Sequence, residues 1–413
     1  MRKKKSESSI IFLANLFRLS NFMKTWLVKL GKAWNALEQE GVIRGGKRVI
    51  KSFFSQFGRV RPGDILFVTA GVGDSARYRA HNQAEELRLH GFRCSVTIQD
   101  NPFLPQYAEK FKIFIFHRTL YTTRVAKLFE KAKKLGKEII FDTDDLVFDP
   151  RYIQATEHYK KMNVFERQQY EKGVGKEILK NPHVKVCTTT TSYLAKILEN
   201  YGKKVFVSKN KLSLKDLEIV EKILTKAKSF SKNNGLRIGY FAGTKGHDKN
   251  FATIERVLVQ ILEKYPQVKL ALAGPLNISK NFDKFESQIE KLPFSPREEH
   301  FQNIASVDIN IIPLEKNNPF CEAKSELKFF EAGILGAPSI AVDNQTYREA
   351  IEEGKDGFLA GSEEEWFEKL EKLILDKNLR EKIGKAAQEK SRREYTTKNS
   401  HNEEYYEYLK SKL

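Results

Sequence analysis

The sequence predicts an α/β protein of two parallel-sheet domains facing a cleft, with a basic helical extension in front. Three observations carry this reading. Short apolar runs alternate with helical patterns of about 12 to 15 residues that stop at glycines, the signature of right-handed βαβ units. The alternation occurs twice, separated by a polar helix and a Lys232-Asn233-Asn234-Gly235 turn. The charge is also uneven: residues 1–62 hold 14 Lys and Arg against 3 acidic residues, more than half of the net charge of +19.

A length of 413 residues suits two or three domains at roughly 150 residues each. With 40% apolar and 30% charged residues, collagen, low-complexity disorder and a disulfide scaffold are excluded. Cys94, Cys187 and Cys321 lie far apart without ligand spacing, which argues against structural zinc and for a reducing compartment. No apolar run approaches the ~20 residues that span a bilayer. The opening Arg2-Lys3-Lys4-Lys5 and Ile10–Phe17 imitate a secretory signal, but no small-residue cleavage site follows and Arg18, Lys24 and Lys29 interrupt. Residues 1–62 read instead as amphipathic helices, with Phe17, Phe22, Trp26, Leu27, Leu30 and Trp34 on one side. Such helices lie on anionic membranes; packing against the globular body is the open alternative.

The first domain, residues 63–212, begins with a strand at Ile65–Ala70, a glycine turn at Gly71–Gly73 and a helix over Ser75–His90. Strands at Arg93–Ile98, Ile113–His117, Glu138–Phe141, Val184–Thr188 and Lys204–Ser208 follow, with helices at Thr122–Leu135 and Ser192–Tyr201. Residues 213–235 supply a linker helix and hinge. The second domain, residues 236–390, has strands at Arg237–Phe241, Val268–Ala273, Asp308–Ile312 and Pro338–Val342. Its helices are expected at Phe251–Tyr265, Pro296–Ile304, Glu326–Gly333 and Glu364–Leu375. Residues 391–413 form a last helix. Two such sheets bind ligands at their carboxyl ends, in the cleft between them.

Several motifs point at that cleft. Gly71-Val72-Gly73-Asp74-Ser75-Ala76 fits G-x-G-x-x-A, and with Asp100 it leaves a nicotinamide-dependent oxidoreductase as an alternative. Bulky Arg77, Tyr78 and Arg79 favour a turn that merely keeps the cleft open. Asp142, Asp144 and Asp145 follow a strand; they either bind Mg²⁺ or Mn²⁺ or cap the next segment and pair with nearby cations, and no metal is expected. His117 and His247 are candidate acids or bases. Ser325-x-x-Lys328 lacks the companion motifs of serine acyltransferases. In the stretch Asn317–Ala341, Ser325 is placed to cap a helix whose free N–H groups suit an anion. Lys328 and Glu331 share one face of it, a pair suited to a pyrophosphate and a ribose diol, or simply a surface ion pair.

This stretch resembles the donor-binding motif of two-domain GT-B glycosyltransferases of the family 4 type, E-x7-E-A-x-A-x-G-x-P. Glu331-Ala332-Gly333 with Gly336-Ala337-Pro338 matches its second half, and Lys328 matches a lysine of several subfamilies. Ile238–Thr244 with His247-Asp248-Lys249-Asn250-Phe251, and Gly354-Lys355-Asp356-Gly357-Phe358-Leu359, are similar to further segments of that family. Ser75-Ala76-Arg77-Tyr78-Arg79, Phe116-His117-Arg118 and Phe141–Asp145 resemble bacterial envelope-polysaccharide members. The motif's first glutamate falls on Ala323, so Glu322 is its nearest candidate.

The resemblance implies a retaining, metal-independent transferase that takes a nucleoside-diphosphate sugar as donor substrate and needs no cofactor. It implies a glycan or lipid-linked acceptor and work at the cytoplasmic side of a membrane, residues 1–62 touching the anionic surface. Lys328, Glu331 and His117 are its catalytic candidates. Gly71, Gly73, Arg118, Gly243, Lys245, His247, Lys249, Glu322, Lys324 and Ser325 are its binding candidates. Nucleic-acid binding rests only on the net charge, which sits mostly outside the α/β body, and no nucleic-acid partner is expected.

Overall fold

Parallel strands buried on both faces are nearly continuous apolar runs, and those runs set the frame here. A computed structural model describes residues 45–46, 50, 54, 56–71, 73–154, 159, 167, 170–227, 235–243 and 247–413. Most of the basic extension, including every aromatic residue named in its helices above, lies outside the described residues. So do residues 232–234 of the hinge.

The first domain is a six-stranded parallel sheet of β1 (Ile65–Thr69), β2 (Cys94–Ile98), β3 (Ile113–His117), β4 (Glu138–Thr143), β5 (Val186–Thr189) and β6 (Lys204–Val207). Its order is β2-β1-β3-β4-β5-β6. The chain reverses its direction of growth between β1 and β3, so the ends of these two strands form a switch point. Gly71 and Gly73 follow β1 there, and His117 ends β3.

The second sheet contains β7 (Arg237–Phe241), β8 (Lys269–Ala273), β9 (Ile289–Leu292), β10 (Ile309–Ile312), β11 (Ser339–Val342) and β12 (Phe358–Ala360). Its order, β12-β11-β10-β7-β8-β9, puts the switch point between β7 and β10. Two of its strands, β9 and β12, fall outside the sequence expectation. Both are edge strands: one is Ile-Glu-Lys-Leu and half-exposed, the other only three residues long. Short, charged edges are how sheets avoid pairing with strangers, and the same property hides them from a hydrophobicity pattern.

The helices expected appear in order, but Phe251–Tyr265 is split into Asp248–Ala252 and Glu255–Lys264. Helices such as Lys176–Lys180 and Gln345–Ala350 fall outside the expectation, and three further segments differ. The helix after β1 runs through Asp74–Ala76 and Gln83–Leu89 but is π-helical over Arg77–Asn82. The linker helix is Leu214–Ala227, and Val220 and Ile223 join the second domain's core. The stretch 391–413 is not one helix. Lys377–Glu394 runs into it, and a separate helix Glu403–Lys410 follows. That last helix returns to the first domain, where Tyr405, Tyr406 and Leu409 are buried with Ile65, Ile113 and Phe206.

The glycines of the Glu331–Pro338 motif serve this packing. A Cβ on Gly333 would lie 2.5 Å from Ser391 Oγ and 3.0 Å from the Ala387 carbonyl oxygen. Across the same contact, a Cβ on Gly384 would lie 2.1 Å from the Gly336 carbonyl oxygen. Alanine is the better helix former by about 1 kcal/mol, but overpacking a rigid backbone contact costs about 1–3 kcal/mol. Gly384→Ala is therefore expected to lower the thermal unfolding midpoint by several degrees, as differential scanning calorimetry would read it.

Candidate functional site

Beyond the end of β7, Ala242 and Gly243 lead toward His247, which precedes the helix Asp248–Ala252. A Cβ on Gly243 would meet no atom within 4 Å, and the same holds for Gly71 and Gly73 across the cleft. These three positions leave open space at both switch points. Lys245 lies outside the described residues, and Lys249 is exposed on its helix.

Lys328 stands on the helix Leu327–Gly333, which begins after β10. Its Nζ lies 4.6 Å from the centroid of the Tyr240 ring, within cation–π range. The amine is buried with no hydrogen-bond partner among the described residues. Burial and the nearby Lys324 ammonium push it down to about 7, against the pull of Glu331. Burial together with Lys328 and Lys324 holds His247 down to about 2, so its imidazole is neutral. A buried unpartnered cation costs free energy until an anion arrives. Two lysines converging beside a neutral histidine are an anion site in chemical terms.

Glu331 sits one turn further on and is already engaged. It accepts from Tyr78 Oη at 2.6 Å and from Arg297 Nη1. His300 Nε2 lies 3.5 Å from its other oxygen. Arg297 also donates to Asp216 at 2.9 Å and to Tyr78 Oη at 2.6 Å. Burial raises the Glu331 carboxyl, but Arg297, His300 and Tyr78 outweigh it and keep it ionised. The expected face shared by Lys328 and Glu331 is thus split: one group lacks a hydrogen-bond partner among the described residues, and the other already has Tyr78 and Arg297 on Oε1.

The first domain contributes a charge array at the ends of β3 and β4. His117 Nδ1 donates to Asp142 at 2.7 Å, and its Nε2 lies 2.8 Å from Ser75 Oγ. Ser75 Oγ also donates to Asp144 at 2.9 Å. Asp142 receives Arg79 Nη2 at 2.5 Å and Thr188 Oγ1 at 2.7 Å, and burial's upward push on its carboxyl is overcome by Arg79 and His117. Arg118, in a left-handed conformation at φ 48°, pairs with Asp144 and Asp145 at 2.8 Å each. The acidic triplet is therefore taken up by cations and by capping of the next turn. His117 is 1% exposed and bonded to Ser75; Ser75, Arg118, Asp144 and Asp145 are the part-exposed members of the array.

Other candidates fall nearby. Glu326, not Ser325, holds the N-cap position of the helix Leu327–Gly333, with no side-chain cap bond; Ser325 Oγ instead accepts from Asn210 of the first domain at 3.1 Å. Ala323 is buried in the first domain's cluster with Phe116 and Phe148, while Glu322 has Arg348 and Tyr193 in its field. Pattern reading missed Arg297, His300 and Asp216 as site residues, and it quoted Tyr240 only within Ile238–Thr244. Nothing local marks the first three, since they meet the motif only through packing of the helices Leu214–Ala227 and Arg297–Ala305; Tyr240 ends up under Lys328 from β7.

Residues 223–390, less than half of the chain, match the model of the family described as glycosyl transferases group 1. No curated protein sequence matches the chain significantly. Among solved structures, the Anabaena protein HepE in complex with UDP aligns with a TM-score of 0.56 at 14% identity, over 84% of this chain and 100% of that one. Sucrose-phosphate synthase from Thermosynechococcus elongatus aligns at 0.55 and 12%, over 81% and 95%. A glycosyltransferase from Rickettsia africae aligns at 0.55 and 15%, over 85% and 99%. These likenesses establish the GT-B type of fold, with its two facing sheets.

The unpartnered amine has a measurable consequence. A bound polyanion favours the charged form of Lys328 and raises its pKa above the free value of about 7. Affinity for inorganic pyrophosphate should then be steady below pH 7 and weaken above it, by up to roughly tenfold per pH unit. Calorimetric titration at pH 6 to 9 would check this, and Lys328→Met should flatten the protein's share of the dependence.

Proposed function

We propose that this protein is a glycosyltransferase that moves a sugar from a nucleoside-diphosphate donor to a glycan or lipid-linked acceptor of an envelope polysaccharide, with retention of configuration. The observation that carries the reading is the buried Lys328 amine without a partner, at the switch point of the second domain. The family match over residues 223–390 supports it. So does the likeness to HepE, whose structures include complexes with UDP and with UDP-glucose.

In the reaction the bond between the anomeric carbon and the terminal phosphate oxygen breaks, and its electron pair leaves on the pyrophosphate. Fixed cations that meet this growing charge in a water-poor cleft lower the barrier without reorganising. Lys328 supplies the central one; Lys324, Lys245 and Lys249 would add to the field, and neutral His247 can donate a hydrogen bond. Gly71, Gly73, Gly243 and Ser325 leave room for the donor and expose backbone N–H groups. Glu331 would hold the ribose. On the acceptor side, Ser75 presents the His117–Asp142 array to the cleft, and Arg118 shapes its edge. Because Ala323 replaces the family's sugar-facing glutamate, Glu322 is the carboxylate proposed to meet the donor sugar.

Lys328→Ala tests the assignment. Loss of a charge-assisted contact, about 1.5–3 kcal/mol, should weaken UDP binding by roughly 10- to 150-fold. Transfer kcat should fall by about 10²–10³, as for other preorganised donors. Wild-type kcat and UDP affinity in a folded Lys328→Ala protein would refute the reading.

The acceptor side is proposed to lie on the inner face of a membrane. Among the described residues no helix is long and apolar enough to cross one. Ile50, Phe54 and Phe57, at helical spacing, are exposed. Arg59, Arg61, Arg88 and Arg93 line a cavity of about 620 Å³ near them. Full-length protein should sediment with phosphatidylserine vesicles and release as salt rises, whereas a chain shortened to begin at Arg61 should bind much less. Equal binding by both would count against this surface.

A further inference from the structure

Tyr78 belongs to the first domain, yet its ring is buried in the core cluster of the second, with Phe241, Leu314 and Phe330. It is 3% exposed. Its hydroxyl donates to Glu331 Oε1 at 2.6 Å and accepts from Arg297 Nη2 at 2.6 Å. Glu331 is the carboxylate on which the reading above puts the donor's ribose. Ribose would offer that carboxylate what Tyr78 offers it now, a neutral O–H donor. With Arg297 on the same oxygen, Glu331 Oε1 is occupied before any nucleotide arrives, while the other oxygen has only His300 Nε2 at 3.5 Å among the described residues.

The backbone under Tyr78 is unusual as well. It lies in the π-helical stretch Arg77–Asn82, directly after the glycine turn of β1. A π segment carries an extra residue per turn and is found mostly at functional sites. Tightening it to α-helical pitch would rotate Tyr78 relative to Arg79. Arg79 itself is fixed by Asp142 and the Ser208 carbonyl, so such a change moves Tyr78 and spares the rest of the domain.

We propose that Tyr78 is a placeholder for the donor's ribose: its hydroxyl occupies the Glu331 position that a ribose hydroxyl takes, so nucleotide binding must displace it. This inference rests on the nucleotide-sugar reading. Entry of the nucleoside then breaks a contact between the domains, and donor occupancy shifts their equilibrium. Pyrophosphate alone, lacking ribose, enters the Lys328 site and leaves Tyr78 in place.

The test is calorimetric titration of the full chain and of Tyr78→Phe with UDP and with inorganic pyrophosphate. The variant keeps the buried ring and removes only the competing hydroxyl. UDP should bind it about fivefold more tightly, equivalent to about 1 kcal/mol, while pyrophosphate affinity stays at the wild-type value. In a Glu331→Gln background the tightening by Tyr78→Phe should shrink, because the two groups act as a pair. Unchanged or weaker UDP binding by Tyr78→Phe, with wild-type protein binding UDP, overturns the proposal alone. So does equal tightening toward pyrophosphate. Wild-type protein that binds neither ligand overturns the nucleotide-sugar reading and this inference with it.

Discussion

The buried ion pair between Arg79 and Asp142 is the constraint on which the first half of the cleft depends. The Arg79 side chain is fully buried and reaches the Ser208 carbonyl beyond β6 as well as Asp142 at the end of β4. Asp142 in turn holds His117 on β3 and Thr188 on β5. One guanidinium and one carboxylate therefore tie the carboxyl ends of four neighbouring strands to the helix after β1. Breaking a buried pair from one side costs about 3–5 kcal/mol, because the remaining charge is stranded. That cost keeps the rim of the cleft in a single geometry. The same helix carries Ser75 and Tyr78, so the pair also decides what the first domain shows to the second.

The second domain works by the opposite principle. Its strand ends carry a buried amine that has no hydrogen-bond partner among the described residues. Lys328 rests on the face of Tyr240, with Lys324 and His247 in its field. One domain satisfies its charges internally and becomes rigid; the other leaves a deficit that only a ligand makes good. Glu331 belongs to the satisfied class although it stands three residues from Lys328, because Arg297 and Tyr78 reach it from other elements.

Much of this architecture is written in local pattern. Ten of the twelve strands fall where the sequence pattern expects them; the eight interior ones are apolar because a parallel strand covered on both faces has little choice. The two exceptions are edge strands of the second sheet, one charged and one only three residues long. The Glu331–Pro338 motif and Lys328 stood out through their resemblance to the donor-binding motif of GT-B glycosyltransferases, not through pattern alone. What local pattern cannot supply is pairing over distance. The sequence Arg77-Tyr78-Arg79 reads as bulk beside a glycine turn, yet in three dimensions Arg79 is swallowed by its own sheet and Tyr78 by the neighbouring domain. Asp142 and its neighbours leave metal binding open in the sequence as the lesser alternative, and which cations pair with them emerges only from the packing of Arg79, Arg118 and His117. Ser325 looks like a helix cap, and Asn210 claims it from the other domain.

The return of the final helix to the first domain has a mechanical consequence. The polypeptide passes between the domains twice, once before the helix Leu214–Ala227 and once after Glu394. The two passages are stitched together: Leu212 N–H donates to the Tyr395 carbonyl at 2.7 Å, and Thr397 N–H donates to the Leu212 carbonyl at 2.9 Å. Two coupled crossings act as a door hinge where a single tether would act as a swivel. Twisting of one sheet against the other is resisted, and swinging about the line through Leu212 and Thr396 remains the soft motion. Two sheets joined this way keep their register about that line, as the two covers of a book do about its spine.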